Sequence, residues 1–266
     1  MKIGHRIIGK GEPVYVIAEI GSNHDGDLEQ AKRLIVAAAD SEARAAKFQL
    51  FRGDKLYPGR DTPGAVPDWW LPILQETCWD MGIEFLCSVF CRETLDAYMQ
   101  VDPLAIKIAS PEAANLDLLR AASMTGLPLL VSTGAMDWPM LDRTAAALDG
   151  VEIVLLACTS AYPAPPAEMC LDTLQTIAGR YGASCGLSDH SLEPVIAPVM
   201  AVALGAQVIE KHLTLDRNSP GPDHSFALEP AEFRVMVDAI RQATLMLGDG
   251  VKRVQPSEDA TDRRAA

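Results

Sequence analysis

The sequence of 266 residues has no run of 18 or more apolar residues, which excludes an ordinary transmembrane helix. It begins without the charged and then apolar segment of a signal peptide, so we expect a cytoplasmic protein without a membrane partner. The six cysteines lack CxxC spacing, which favours reduced, mostly buried thiols over a disulfide framework or cysteine zinc site. An excess of positive charge is also missing, and the net charge of −13 argues against nucleic acid as a partner.

Eight short apolar runs recur along the chain, separated by amphipathic or Ala/Leu-rich stretches of helical length. The runs are Val14–Ile20, Ala45–Gln49, Glu84–Ser88, Ala105–Ile108, Pro128–Ser132, Val151–Cys158, Cys185–Ser188 and Val208–His212. Alternating strands and helices require crossover connections and therefore parallel strands. Eight such units in this length predict an α/β fold, a single-domain TIM (β/α)8 barrel. An open doubly wound sheet is the alternative, but no Gly-rich dinucleotide loop follows the first run.

The chain divides into three parts by composition. We expect an N-terminal hairpin over residues 1–12, which would close the floor of the barrel, and the catalytic barrel over residues 13–250. Residues 251–266 form a polar C-terminal tail with too little apolar content for a further domain. Two stretches rich in Gly, Pro and Asp, Phe51–Trp70 and Asp216–Phe226, predict long loops on the rim.

The last two runs end in histidines, His190 and His212. Alternate residues of a barrel strand point inward, so Ser188 shares a face with His190, and Glu210 shares a face with His212. If both faces point inward, two imidazoles from neighbouring strands meet near the carboxyl rim. Neutral imidazole is a common ligand for divalent metals, and carboxylates or water can complete the shell of Mn²⁺ or a similar ion. The alternative is that one of them is a hydrogen-bonded core or rim histidine.

Two lysines, Lys47 and Lys107, lie inside predicted strands. Lysine is rarely buried without a compensating anion, so this pair predicts a cradle for phosphate and carboxylate groups. Hydroxyls at strand ends would join it, those of Ser88, Ser110, Ser132 and Ser188. Three alternatives stay open: each lysine pairs with a neighbouring carboxylate, each serine caps a turn or helix, or a lysine forms a Schiff base as in a class I aldolase. The Schiff base would leave the two histidines without a role.

The end of the first run carries several polar residues. Glu19 is expected close to the rim, and Asp27 is expected to cap a helix that begins near Leu28. Asn23 and His24 either line the pocket or hold the loop.

Eight motifs span nearly the whole chain. They read AEIGSNHDGD at 18–27, KFQ at 47–49, IKIAS at 106–110, VSTG at 131–134, CTSAYP at 158–163, GLSDH at 186–190, IEKH at 209–212 and GPD at 221–223. In content and order this set resembles the sialic acid synthase (N-acetylneuraminate synthase, NeuB-like) family. That family condenses phosphoenolpyruvate with an N-acylated hexosamine, so the resemblance also implies a barrel.

The resemblance implies a role for each matching position. His190 and His212 match the two metal-binding histidines, the metal being typically Mn²⁺, with Mg²⁺ and Co²⁺ as alternatives. The positions that match phosphoenolpyruvate contacts are Lys47, Ser88, Lys107, Ser110, Ser132, Ser160 and Ser188. The positions that match the surroundings of the acceptor sugar are Glu19, Gln49, Tyr162 and Asp223. Glu112 matches a carboxylate implicated in catalysis, and the expected catalytic set is Glu19, Glu112, Lys47 and Lys107.

The resemblance therefore implies a metal-dependent transferase that joins phosphoenolpyruvate to an N-acetylmannosamine-like aldehyde, giving a 2-keto-3-deoxy sugar acid and phosphate. A homodimer is implied as well. A related synthase that uses a different aldehyde, and a non-catalytic barrel that binds a sugar or phosphate, are the alternatives.

Several features depart from the family pattern. Members commonly carry a small antifreeze-like domain after the barrel, for which 266 residues leave no room. Either the chain is truncated, a separate lid protein supplies that part, or the acceptor differs. Ser88–Val89 replaces the usual Thr-Pro after the third strand. The loop at 54–70 has no asparagine. It carries Trp69 and Trp70 instead, and we expect this pair to form an exposed contact patch or part of a pocket wall. His224, after Asp223, either compensates for these missing acceptor contacts or is a surface histidine, and we expect the second.

Overall fold

The computed structural model describes residues 1–56 and 64–258. The strands in this part are β1 (Lys2–Ile3), β2 (Arg6–Ile7), β3 (Tyr15–Gly21), β4 (Ala45–Leu50), β5 (Glu84–Val89), β6 (Ile106–Ile108), β7 (Leu129–Ser132), β8 (Ile153–Cys158), β9 (Ser184–Asp189) and β10 (Val208–His212). The α-helices are α1 (Leu28–Asp40), α2 (Gly53–Leu56), α3 (Leu71–Asp80), α4 (Arg92–Tyr98), α5 (Leu116–Ser123), α6 (Trp138–Ala147), α7 (Thr173–Tyr181), α8 (Ile196–Ala203) and α9 (Pro230–Leu247).

Strands β3 to β10 form a closed barrel in which each strand pairs in parallel with the next and β10 returns to β3. The predicted (β/α)8 barrel is confirmed, and the predicted strands agree with the observed ones to within two residues at each end. Closure places His212 opposite Glu19, and Glu19 opposite Lys47. Three chemically capable residues from three strands therefore lie side by side at one level of the barrel.

The lower half of the barrel interior is apolar. Its core includes Tyr15, Ile17, Leu130 and Val208, and residues of the N-terminal hairpin pack beneath them. The hairpin consists of β1 and β2, which pair antiparallel as predicted. Because this end is filled and covered, polar chemistry inside the barrel is confined to the carboxyl ends of the strands.

Helix α1 shows how the local sequence builds the outer layer. Asp27 caps it, as predicted, by accepting a 2.8 Å hydrogen bond from the amide of Glu29. Its buried residues follow the helical period and face the barrel: Ala31, Leu34, Ile35 and Ala38. A second cap, a capping box between Glu229 and Glu232, starts α9 at Pro230.

The segment after β4 differs from the predicted long loop. It contains the short helix α2 and a turn of 3₁₀ helix at Asp68–Trp70, and the part at 57–63 lies outside the described residues. The expectation that both tryptophans are exposed is wrong for Trp70, which is 3% exposed, whereas Trp69 is 63% exposed. The Trp70 ring packs edge-on against His24, with the ring centroids 5.3 Å apart. Aromatic contact with the loop after β3 therefore buries one tryptophan of the pair.

All six cysteines are free thiols, as expected for reduced cysteines. Cys78, Cys87 and Cys185 are buried, whereas Cys170 is exposed, so burial holds for only half of the six. Among the described residues, no helix combines the length and apolar character needed to cross a membrane.

Candidate active site

A buried cluster of two lysines and two glutamates lies inside the upper barrel. The Nζ atom of Lys47 is 2.6 Å from Oε2 of Glu19 and 3.6 Å from Oε2 of Glu210. Lys107 reaches the other oxygen of Glu210, with Nζ and Oε1 3.8 Å apart. Both lysines are therefore ion-paired, which is the alternative that the sequence left open. The pairing also keeps two ammonium groups close together inside the barrel.

The two glutamates titrate differently. Burial acts to raise the pKa of Glu210, but Lys107 and Lys47 outweigh it and lower that pKa to about 2. For Glu19, burial raises the pKa, and Lys47 only partly opposes this effect while Glu210 adds to it. Two neighbouring carboxyls whose pKa values are pushed apart divide into a permanent anion and a group able to exchange a proton. Glu210 suits the first role, and Glu19 the second.

Serine hydroxyls surround this cluster. Lys47 donates to Oγ of Ser88 over 3.0 Å, and Lys107 donates to Oγ of Ser132 over 2.8 Å. Ser188 donates to Oε1 of Glu210 over 2.9 Å. Three of the predicted phosphate-binding serines thus contact the charged cluster directly.

Ser110 and Ser160 converge elsewhere, over Gly134. The amide of Gly134 donates to Oγ of Ser110 over 2.9 Å. A Cβ atom at Gly134 would lie 2.2 Å from Oγ of Ser160 and 2.9 Å from Oγ of Ser110. Glycine is favoured here because any side chain would have to displace these two hydroxyls.

Glu112 lies on the 3₁₀ turn that follows β6. Its Oε2 atom is buried without a hydrogen-bond partner. Burial raises the pKa of Glu112 to about 7, although Lys107 lowers it slightly. A carboxyl with this pKa can donate or accept a proton near neutral pH.

The two predicted metal ligands are neighbours, with His190 and His212 ring centroids 5.6 Å apart. Nδ1 of His190 donates to the carbonyl of Thr159 over 2.9 Å, which leaves the lone pair of Nε2 free. Nδ1 of His212 is buried without a hydrogen-bond partner, and burial lowers the pKa of this imidazole to about 4. Both rings therefore fit the donor chemistry of a divalent cation.

No third protein ligand joins this pair in the described ranges, since there no group of three or more His, Cys, Asp and Glu side chains could hold a metal ion. A cation bound by His190 and His212 would take its other ligands from water or substrate.

Of the four residues predicted near the acceptor, Glu19 belongs to the charged cluster, and Gln49, Tyr162 and Asp223 lie around it and the two histidines. Gln49 donates to Oε1 of Glu19 over 2.8 Å, and the half-exposed ring of Tyr162 lies 4.2 Å from that of His190. Asp223 accepts hydrogen bonds from the amide and hydroxyl of Ser22, at 3.1 and 2.8 Å. A Cβ atom at Gly21 would lie 2.6 Å from Oδ2 of Asp223, so this glycine admits the carboxylate to the rim.

The structure decides between the alternatives left open for Asn23 and His24, and it corrects the expectation for His224. Asn23 donates to the carbonyl of Leu213 over 2.9 Å, and His24 is fully buried against Trp70, so both hold the loop. The expectation of a surface histidine at position 224 is wrong, because His224 is 2% exposed. Its hydrogen bond to Asp25, 199 positions away in the chain, is invisible to a local pattern.

Sequence reasoning did not select three residues that line the site. Glu210 bridges both lysines, and its inward parity was the available signal. Sγ of Cys158 lies 3.6 Å from Oγ of Ser110 and 3.8 Å from Nδ1 of His190. Phe226 packs its ring 4.9 Å from that of His212, and nothing in its local sequence marks it.

Titratable and polar side chains from strands all around the barrel thus meet at the carboxyl ends of those strands. This is the place where (β/α)8 barrel enzymes carry their active sites. The fold and the site define the protein as a barrel enzyme.

Comparisons with known proteins narrow the class. The model of the NeuB family matches residues 63–252. The spore coat polysaccharide biosynthesis protein SpsE of Bacillus subtilis is 38% identical over 95% of this chain and 73% of its own length. N,N'-diacetyllegionaminic acid synthase of Legionella pneumophila is 35% identical over 97% of this chain and 79% of its own length. The crystal structure of N-acetylneuraminic acid (sialic acid) synthetase from Leptospira borgpetersenii in complex with citrate has a TM-score of 0.92 and 32% identity, covering 97% of this chain and 93% of that one. The chain belongs to the NeuB family, which confirms the resemblance drawn from its motifs, and it is a synthase of the transferase class.

Proposed function

We propose that this enzyme condenses phosphoenolpyruvate with the open-chain aldehyde of an N-acyl hexosamine, in a metal-dependent reaction that yields a 2-keto-3-deoxy sugar acid and phosphate. The observation that carries the proposal is the meeting of two buried lysines with two buried imidazoles at one rim of the barrel. The ammonium groups suit a phosphate and a carboxylate, and the imidazoles suit a divalent cation. The cytoplasm and a homodimer remain the proposed location and assembly.

Lys47, Lys107 and the serines around them would hold the phosphate and carboxylate of phosphoenolpyruvate. This arrangement contributes orientation as much as charge, because the reacting carbon must face the aldehyde. Gln49, Tyr162 and Asp223 would hold the acceptor on the open side.

Two bonds form and one breaks in the reaction. Carbon 3 of the enol attacks the aldehyde carbon, and water adds to the oxocarbenium-like carbon 2. Phosphate then leaves with cleavage of the bond between carbon 2 and the ester oxygen. Glu19 or Glu112 would move the protons of the water and the new hydroxyl, since both pKa values are raised by burial. A cation held by His190 and His212, which we propose to be Mn²⁺, would supply Lewis acidity toward the aldehyde oxygen.

The acceptor is the open part of the proposal. One relative makes an N,N'-diacetylated sugar acid, as its name states, and another serves spore coat polysaccharide synthesis. These relatives favour a second candidate function, a condensation with an acceptor other than N-acetylmannosamine.

The test is phosphate release by the purified protein with phosphoenolpyruvate and Mn²⁺, comparing N-acetylmannosamine with hexoses that carry two N-acetyl groups and with simple aldehydes. Release with N-acetylmannosamine and a nine-carbon keto acid product would support the first function, and release with another acceptor alone would support the second. Lys107→Met should abolish release, whereas Lys32→Met, at a half-buried lysine on helix α1 that pairs with Glu29, should not. Phosphoenolpyruvate binding without release from any acceptor would overturn both functions in favour of a non-catalytic barrel.

A further inference from the structure

A chain of hydrogen bonds joins the loop after β3 to the loop after β10, directly behind Asp223, and it runs from the exposed carboxylate of Asp25 to the buried hydroxyl of Thr214. His224 is at its centre: Nε2 donates to Oδ1 of Asp25 over 3.0 Å, because a carboxylate can only accept. On the other side of the ring, Nδ1 and the hydroxyl of Thr214 share a hydrogen bond of 2.6 Å. Asp25, His224 and Thr214 are called the clasp below.

The clasp is tightly packed. Thr214 is fully buried and His224 nearly so. A Cβ atom at Gly221 would lie 2.6 Å from Cδ2 of His224 and 3.3 Å from Oδ1 of Asp25. Gln30 donates to the second oxygen of Asp25 over 2.6 Å, so the carboxylate is held from the helix side as well. Substituting His224 would therefore remove the link between Asp25 and Thr214, while Asp25 keeps its hydrogen bond from Gln30 and Thr214 keeps its contact with Asp216.

The clasp lies beside a second link between the same two loops. Asp223 is hydrogen-bonded to Ser22, and its immediate neighbour His224 is hydrogen-bonded to Asp25, three residues after Ser22. Two adjacent contacts define both the position and the rotation of the loop that carries Asp223, whereas one contact alone would act as a hinge. The rotation matters because the Asp223 carboxylate lies over Gly21, next to the ring of His212.

We infer that His224 is a positioning residue of this enzyme: the clasp orients Asp223 toward the acceptor sugar and leaves the phosphoenolpyruvate half of the site unaffected. The expected kinetic effect rests on the proposed function, whereas the hydrogen bonds of the clasp do not. The expected signature is a selective loss of acceptor affinity, which a general loss of packing would not produce.

The kinetic test uses a matched pair at one position. Thr214→Val keeps the shape of the side chain but removes the hydroxyl, and Thr214→Ser keeps the hydroxyl. We expect Thr214→Val and His224→Ala to raise the KM of the acceptor about tenfold, the usual scale for one lost hydrogen bond to a buried group. The KM of phosphoenolpyruvate should change by less than about twofold on the same scale, and Thr214→Ser should restore the acceptor KM.

A second measurement does not need activity. The amide of Ser22 donates to Asp223, so its hydrogen exchange reports the position of that carboxylate. Exchange at Ser22 should accelerate in Thr214→Val and His224→Ala, while the amide of Ile17 inside β3 keeps its protection. If the wild type condenses no acceptor, the proposed function fails and the exchange result alone decides the clasp. An unchanged acceptor KM, an equal rise in both KM values, or unchanged exchange at Ser22 would overturn the inference.

Discussion

The ammonium group of Lys211 lies 2.7 Å from Oδ2 of Asp189, and these two side chains are 1% and 0% exposed. Lys211 alternates along β10 with the inward-facing Glu210 and His212, so it points to the outside of the barrel. There it also donates to Oγ of Ser191 over 3.2 Å. This buried ion pair holds the residues that immediately flank both imidazoles, since Asp189 precedes His190 and Lys211 precedes His212.

Asp189→Asn should lower the free energy of unfolding by about 3–5 kcal/mol, because it leaves a buried ammonium group without its anion. The measurement is urea denaturation at pH 7. Asp96→Asn is the matched control, since Asp96 pairs with Arg92 on an exposed helix surface. The free energy of unfolding of Asp96→Asn should fall by no more than about 1 kcal/mol. Equal losses in the two variants would show that the Lys211 pair does not stabilise the native state.

Gly134→Ala should weaken phosphoenolpyruvate binding about tenfold, because the added Cβ displaces the hydroxyls of Ser110 and Ser160, and such overpacking costs about 1–3 kcal/mol. Isothermal titration calorimetry without acceptor measures the effect. Gly9→Ala is the control, since no atom lies within 4 Å of its Cβ position. Wild-type affinity in Gly134→Ala would place the phosphate away from these hydroxyls.

Glu112 predicts a pH-dependent stability. Because burial raises its pKa from the ordinary 4.5 to about 7 in the folded chain, the native state binds more protons than the unfolded state between these two pH values. The wild type should therefore lose stability relative to Glu112→Gln as the pH rises from 4.5 to 7, with no further change above that window. Urea unfolding of both proteins at several pH values tests this. Parallel stability curves would mean that Glu112 titrates normally.

Removal of divalent metal should abolish phosphate release, and Mn²⁺ should restore it. His212→Ala should bind Mn²⁺ at least about tenfold more weakly and remain folded, because the substitution removes one of two proposed ligands and fills no space. His5→Ala, at an exposed histidine, is the control. Metal titration measures the affinity for Mn²⁺, circular dichroism shows whether the variant is folded, and neither requires turnover. Full metal affinity in His212→Ala would refute the assignment.

Much of the fold was readable from local pattern. Apolar runs alternating with helical stretches predicted every barrel strand, and Asp27 predicted the start of α1. Lys47 and Lys107 were expected to lie inside strands beside anionic groups, and both ammonium groups lie within 4 Å of the Glu210 carboxylate inside the barrel. The weakest predictions concerned the rim. Trp70 and His224 were expected at the surface, because no local pattern reveals a partner that lies far away in sequence.

The sequence by itself determined the strands, their inward faces and the residue types at the carboxyl rim, because hydrogen-bonded periodicity and side-chain alternation act over a few residues. Only the tertiary structure decided that Glu210 lies between both lysines and that Asp223 reaches Ser22, 201 positions away in the chain. Those contacts depend on barrel closure, which brings β10 back to β3, and on the packing of loops whose approach distances are not encoded locally.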